Sequence, residues 1–314
     1  MHKIFASIDL GSHTARLLIA RQSIDSHNIS PLFRKREYVR LAEDFGRVED
    51  RLLTPDAMDR AVGVMSGFSL MIRHFGVDHT VAVATGVVRE SKNADQLLNR
   101  ILKNSGIVVH VVSGEREALL SRLGAVRSLK IPEVSYLVFD LGGGSTEFIR
   151  RTGDGMDVRS VPLGAVGLSK KHGRTDPLVH TEIAAINSET DRFLQQTRLH
   201  AISRERFIGT GGTVVTLAAM IHGIPFDQIV PEKINGLSLR LEEIEEVFHE
   251  MNAISLAERM QRYRLEPERA GVILAGSLIV IRIMRHLEAR TLLVSMSDLL
   301  EGILFDFLEG EQHD

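Results

Sequence analysis

The feature that most constrains this chain is a turn that occurs twice. Residues 140–148 read DLGGGSTEF, following the apolar run Tyr136, Leu137, Val138 and Phe139, which predicts strand, glycine turn, strand. About 130 residues earlier, Ile8–Ala20 reads IDLGSHTARLLIA and predicts the same sequence of elements. Glycine has no Cβ, so Gly142, Gly143 and Gly144 can take φ > 0 and let phosphate oxygens approach exposed N–H groups. Asp140, at the end of the incoming strand, adds a carboxylate, and hard oxygen ligands beside phosphates are how Mg²⁺ is held. An ordinary hairpin whose glycines only satisfy turn geometry is the alternative for either copy alone. The repetition favours a duplicated architecture, with two halves facing each other across a cleft and the ligand between them.

Composition narrows the classes. The 314 residues leave room for two domains at about 100–200 residues each. Charged residues make up 25%, hydrophobic ones 44%, and the net charge is −3, which excludes bulk electrostatic binding of nucleic acid and general disorder. With no cysteine there is no disulfide, thiolate nucleophile or Cys-ligated metal, which fits a cytoplasmic protein. Asp9 interrupts the first apolar stretch, so no signal peptide is expected. The later run 270–281 falls short of the roughly 20 residues of a membrane span, so a soluble protein is expected. None of the thirteen histidines falls in a metal-ligand pattern; His13 lies inside the first turn, where bonding to the backbone is the plainer role.

Further candidates follow along the chain. Phe33–Leu41 predicts a strand carrying Arg34, Lys35, Arg36 and Arg40, either a charged sheet edge or a basic approach for a polyanion, with Arg40 the leading candidate. Thr54-Pro55-Asp56 starts a helix. Arg89 follows the buried strand Thr80–Ala84, where α/β folds place ligand residues, although a surface ion pair is the alternative. Ser113-Gly114 opens a helix with Glu117 in its first turn. Acids favour that end of the dipole in any case, but this helix leads to the strand that feeds the glycine turn and so borders the cleft. Gly211, Gly212 and Thr213 precede the helix 214–222 and offer N–H groups to an anion. The dinucleotide fingerprint is incomplete and a P-loop is absent.

Taken in order, IDLGSHTARLLIA, ATGVVRESKN, VSGEREALLSRLGAV, VFDLGGGSTEF, VPLGAVGLSKKH, GTGGTVVTLAAM, PERAGVILAG and VSMSDLLEGIL resemble the exopolyphosphatase/guanosine pentaphosphate phosphatase (Ppx/GppA) family over nearly the whole chain. The resemblance implies an α/β protein of two ribonuclease-H-like domains of the actin-like ATPase superfamily flanking an interdomain cleft. They are expected at 1–125 and 126–299, with the helix 300–314 packing back on the first, in the short form of the family. It implies Glu117 as the catalytic residue and Asp140, Glu147 and Asp9 as acids at an Mg²⁺ site. It also implies phosphate binding by Gly11, Ser12, Arg16 and Arg89, to which the reading of the residues themselves adds Arg40 of the basic segment, Gly142, Gly143, Gly144 and Ser145 of the second turn, and Gly211, Gly212 and Thr213. The expected substrate is inorganic polyphosphate or guanosine pentaphosphate and the expected assembly a homodimer. A non-hydrolysing sensor of such polyanions is the reading from another class, and a sugar kinase or ATPase a more distant one. The chain departs from the family pattern at His13-Thr14, Gly167, Asp298 and Leu300, and the losses of positive charge there are expected to touch substrate choice.

Overall fold

The computed structural model describes residues 3–22, 29–43, 45, 51–131, 135–152, 155–202 and 205–310; the last four residues of the expected helix 300–314 lie outside them. The chain divides into two compact units, Met1–Gly124 with Leu299–Asp314, and Ala125–Asp298.

In the first unit β1 (Ile4–Leu10), β2 (Thr14–Gln22) and β3 (Ile29–Tyr38) form an antiparallel meander. Then follow α1 (Pro55–His74), β4 (His79–Ala84), α2 (Gly86–Glu90), α3 (Ala94–Ser105), β5 (Val109–Val111) and α4 (Gly114–Ser128). β4 lies parallel to β1 and β5 parallel to β4, giving the order β3-β2-β1-β4-β5. α1 starts where expected, because the Thr54 hydroxyl accepts from the N–H of Ala57 and Pro55 needs no partner at N1. Its buried side, Ala57, Ala61, Met65 and Phe68, joins Ile8, Leu10, Ala15 and Leu17 in the core over one sheet face.

The second unit repeats the plan. β6 (Tyr136–Leu141), β7 (Thr146–Thr152) and β8 (Gly155–Val161) form the meander, followed by α5 (Ala165–His172), α6 (His180–Thr197), β9 (Arg206–Thr210) and α7 (Gly212–Ile221). The unit ends with α8 (Pro231–Ile234), β10 (Ser238–Arg240), α9 (Leu241–Asn252), α10 (Leu256–Tyr263), α11 (Pro267–His286) and β11 (Thr291–Val294). β9 runs parallel to β6 and β11 parallel to β9, so the order β10-β11-β9-β6-β7-β8 is that of the first sheet with one antiparallel strand added at the edge. α11 is buried over most of its length, from Ala270 to Met284, and anchors this core.

The chain closes with α12 (Leu299–Gly310), which packs on the other face of the first sheet. Leu300, Leu304 and Leu308 meet Phe5, Leu18 and Ala20. Leu300, a departure expected to affect substrate choice, is therefore a core residue, 4% exposed. Close packing on α4 requires Gly302, since a Cβ there would fall 1.8 Å from the Leu120 carbonyl oxygen. Among the described residues no helix is long and apolar enough to cross a membrane.

Candidate active site

Both turns sit beside the carboxyl ends of the parallel strands, where α/β sheets leave room for ligands. In the first unit the Gly11 N–H closes the turn on the Thr14 carbonyl at 3.0 Å, and in the second Gly142 closes on Ser145 at the same 3.0 Å. A Cβ at either glycine would stand 3.1 Å from that carbonyl oxygen. The two turns are thus the same object by geometry.

The expectation that the triple glycine serves φ > 0 is corrected: Gly142, Gly143 and Gly144 are not among the left-handed glycines. The turn packs against the start of α5 instead. Ala165 donates to the Gly142 carbonyl at 3.2 Å, and Val166 and Gly167 donate to that of Gly143 at 3.0 and 3.2 Å. These bonds satisfy first-turn N–H groups of the helix and occupy carbonyls that would repel an anion. Gly164 makes this packing possible, since its Cβ would lie 2.3 Å from the Gly143 oxygen. In the first unit the Ser12 carbonyl accepts from Ala42, and that of His13 from Val39 and Arg40, each at 2.9 Å. The Ser12 hydroxyl accepts from the N–H of Val87 at 3.0 Å, tying the turn to α2.

Arg89, on that short helix, donates from Nη1 to the Val112 carbonyl at 3.2 Å and to Oε2 of Glu117 at 2.8 Å. The Ser113 hydroxyl accepts from Arg116 at 3.1 Å and caps α4, which fixes Glu117 one turn in. Burial raises the Glu117 carboxyl above its ordinary value, with the hydrogen bond and charge of Arg89 opposing it and the Asp9 carboxylate adding to it. Nearby, Nε and Nη2 of Arg16 donate to Oδ2 of Asp9 at 3.0 and 2.8 Å, and the Thr85 hydroxyl lies 3.5 Å from Oδ1. Asp9, expected among the metal acids, thus holds a guanidinium across the strand pair.

In the second unit Asp140 and Glu147 stand directly opposite each other on β6 and β7, on one face of the sheet. The Ser160 hydroxyl, opposite Glu147 on β8, donates to its Oε1 at 2.8 Å. Two adjacent carboxylates fit Mg²⁺, which binds through one or two such groups and keeps waters or substrate oxygens as its other ligands. Among the described residues no group of three or more His, Cys, Asp or Glu side chains is placed to hold a metal ion. At the carboxyl end of β9, Gly211 takes φ 98° and a Cβ at Gly212 would meet Nη2 of Arg269 at 2.2 Å. A guanidinium therefore lies on the first residue of α7, beside Thr213. A cavity of about 740 Å³ in this unit is lined by Glu205, Arg206 and Arg290, at the other end of β9, and has no part in these constellations.

The structure therefore gathers Asp9, Ser12, Arg16, Arg89 and Glu117 in one unit, and Asp140 and Glu147 in the other. Sequence reasoning missed Thr85, Ser160, Gly164 and Arg269. Only Arg269 had a readable signal, a cation in the first turn of a helix, where the dipole disfavours it. Of the basic segment, Arg34 forms an ion pair with the buried Glu301 of α12. Lys35 pairs with Glu37 at 3.0 Å, on the opposite face of β3.

A mixed sheet of the same strand order in each unit, with an aspartate ahead of a tight turn at the same place in both, makes this a protein of two ribonuclease-H-like domains. The Ppx/GppA phosphatase family matches residues 19–311, and the chain belongs to that family. The crystal structure of an Aquifex aeolicus family member is similar with a TM-score of 0.86 and 31% identity, covering 100% of both chains. That of an exopolyphosphatase from Cytophaga hutchinsonii gives 0.84 and 26%, covering 98% of each. A bifunctional 3-dehydroquinate synthase/phosphatase of Fusobacterium nucleatum is 26% identical over 98% of this chain, which spans 47% of that relative's length.

Proposed function

We propose that this chain is an exopolyphosphatase that hydrolyses the terminal phosphoanhydride of inorganic polyphosphate with Mg²⁺. The observation that carries the reading is the placement of Glu117: a half-buried carboxylate one turn into the capped α4, accepting from Arg89 at 2.8 Å. Membership of a phosphatase family and likeness to a protein described as an exopolyphosphatase support it.

In the reaction, water attacks the terminal phosphorus and its proton passes to Glu117. The bond from that phosphorus to the bridging oxygen breaks, releasing inorganic phosphate and a chain one unit shorter. In the first unit Arg16, oriented by Asp9, and Arg89 offer guanidinium donors to phosphate oxygens beside the Gly11 turn. Asp140 and Glu147 would hold Mg²⁺, which when bound neutralises charge that develops on the phosphate oxygens.

Phosphate release is measured on long-chain polyphosphate, guanosine pentaphosphate and ATP, each with Mg²⁺ and with chelator. Preference for polyphosphate, abolished by chelator, is expected. Preference for guanosine pentaphosphate would move the assignment to the family's other activity, and binding of either without turnover would make the chain a sensor.

A further inference from the structure

We infer that the hydroxyl of Thr210 is a third oxygen of the cation site, a neutral ligand beside the carboxylates of Asp140 and Glu147. The inference rests on the Mg²⁺ reading of that strand pair and adds a residue to it. Thr210 is the last residue of β9, and register places it directly opposite Asp140 on β6, which is itself opposite Glu147 on β7. Directly opposite residues share a face of the sheet, so Glu147, Asp140 and Thr210 form one row across β7, β6 and β9. The hydroxyl of Thr210 is an orphan: the residue is fully buried, and among the described residues its Oγ1 has no hydrogen-bond partner. The hydroxyls around it are committed elsewhere. That of Ser295, whose N–H donates to the Gly209 carbonyl at 2.9 Å, donates to the Ser297 carbonyl at 2.7 Å, and that of Thr216 donates to the Gly212 carbonyl at 2.8 Å. A buried hydroxyl left unpaired costs stability, and valine would fill the same space without that cost.

The first unit shows the same position with valine in it. There the aspartate ahead of the turn, Asp9, stands between Arg16 of β2 and Val83 of β4. In the strand order of the two sheets β4 corresponds to β9, so Val83 is the counterpart of Thr210, and both are buried. The two side chains have nearly one shape and differ in a methyl group for a hydroxyl. Both neighbours of the aspartate therefore change together between the units. Where arginine faces it, the parallel strand supplies an apolar group; where glutamate faces it, the parallel strand supplies an oxygen. The Arg16 guanidinium is satisfied by the Asp9 carboxylate alone, at 3.0 and 2.8 Å, and asks nothing of Val83. A hard cation collects oxygens from every side, and a threonine or serine hydroxyl is a ligand that Mg²⁺ takes at phosphoryl-transfer sites. One bound ion thus accounts for the paired carboxylates and for the orphaned hydroxyl in the same row.

The test uses the full chain as wild type, Thr210→Val, Thr210→Ser and Asp140→Asn, without substrate. Mg²⁺ is titrated by calorimetry and Mn²⁺ by spin resonance, and denaturant midpoints are measured in chelator and in Mg²⁺. Thr210→Val is expected to weaken both ions by about tenfold or more, and Thr210→Ser, which keeps the oxygen, to recover most of that loss. In chelator Thr210→Val should unfold at a higher denaturant concentration than the wild type, because the orphaned hydroxyl is gone. Added Mg²⁺ should then raise the midpoint of the wild type more than that of the variant, since tighter binding to the folded state stabilises it more. A lower midpoint for Thr210→Val in chelator would make the hydroxyl a structural hydrogen-bonding group and overturn the inference. Wild-type ion affinity in Thr210→Val, with affinity lost in Asp140→Asn, would remove Thr210 from the site and leave the carboxylate pair in place. Unchanged affinity in Asp140→Asn, or no binding of either ion by the wild type, would end the cation reading of the strand pair and this inference with it.

Discussion

Arg16 and Glu147 occupy the same place in the two units: each stands directly across an antiparallel strand pair from the aspartate that precedes the turn, Asp9 in one case and Asp140 in the other. The duplicated backbone thus carries opposite charges at one position. Where arginine stands, its guanidinium is held on the aspartate and the two charges compensate each other. Where glutamate stands, two carboxylates meet and the row suits a metal ion.

Glu147→Gln should therefore weaken Mg²⁺ binding by about tenfold or more, read by calorimetric titration or by Mn²⁺ spin resonance without substrate. Ser160→Ala removes the hydroxyl that fixes Oε1 of Glu147 and should cost about tenfold by the same measurement. Unchanged affinity in both variants would take the cation away from this strand pair.

Glu117→Gln preserves shape and hydrogen bonding to Arg89 while removing the base. Turnover should fall by about 10² to 10⁴ and binding of polyphosphate should persist. Near-normal turnover would remove Glu117 from the mechanism.

The acid limb of the pH profile carries the Glu117 environment. Because burial raises this carboxyl, kcat/KM should fall away on acidification at a higher pH than an ordinary glutamate would give, and Arg89→Gln should move that limb higher still. Stability follows the same sign. The folded state holds this proton more tightly than the unfolded one, so the contribution is full below the unfolded value and is lost as pH rises through the raised folded value. Denaturant midpoints across mildly acidic pH, wild type against Glu117→Gln, read that term directly; a limb that moves down in Arg89→Gln would contradict the assignment.

The two turns, their flanking strands and the long helices were legible because each carries a periodic or capping signal, as with Thr54-Pro55 ahead of α1. α2 and α5 were not, being five and eight residues long and too short for a helical period to show. The roles of Ser160 and Arg34 depend on register and on a partner remote in sequence. Ser160 meets Glu147 only once β7 and β8 are aligned, and Arg34 meets Glu301 across 267 positions. The triple glycine was seen, but its reason was not: close packing on Gly164 belongs to the assembled turn rather than to either stretch alone.

That packing sets apart two glycines three positions away from each other. At Gly164 a Cβ would sit 2.3 Å from the Gly143 oxygen and 2.4 Å from the Gly144 nitrogen, both backbone atoms that cannot swing aside, so Gly164→Ala must displace the turn between β6 and β7. At Gly167 a Cβ meets nothing within 4 Å, and the residue lies inside α5, so Gly167→Ala should stabilise the fold by about 0.5–1 kcal/mol through helix propensity. Chemical denaturation and phosphate release are measured together on both variants. Gly164→Ala should lose most turnover and raise KM in whatever fraction stays folded, because displaced N–H groups no longer meet the phosphate oxygens. A Gly164→Ala variant as active as the wild type would mean that the turn between β6 and β7 does not position the substrate.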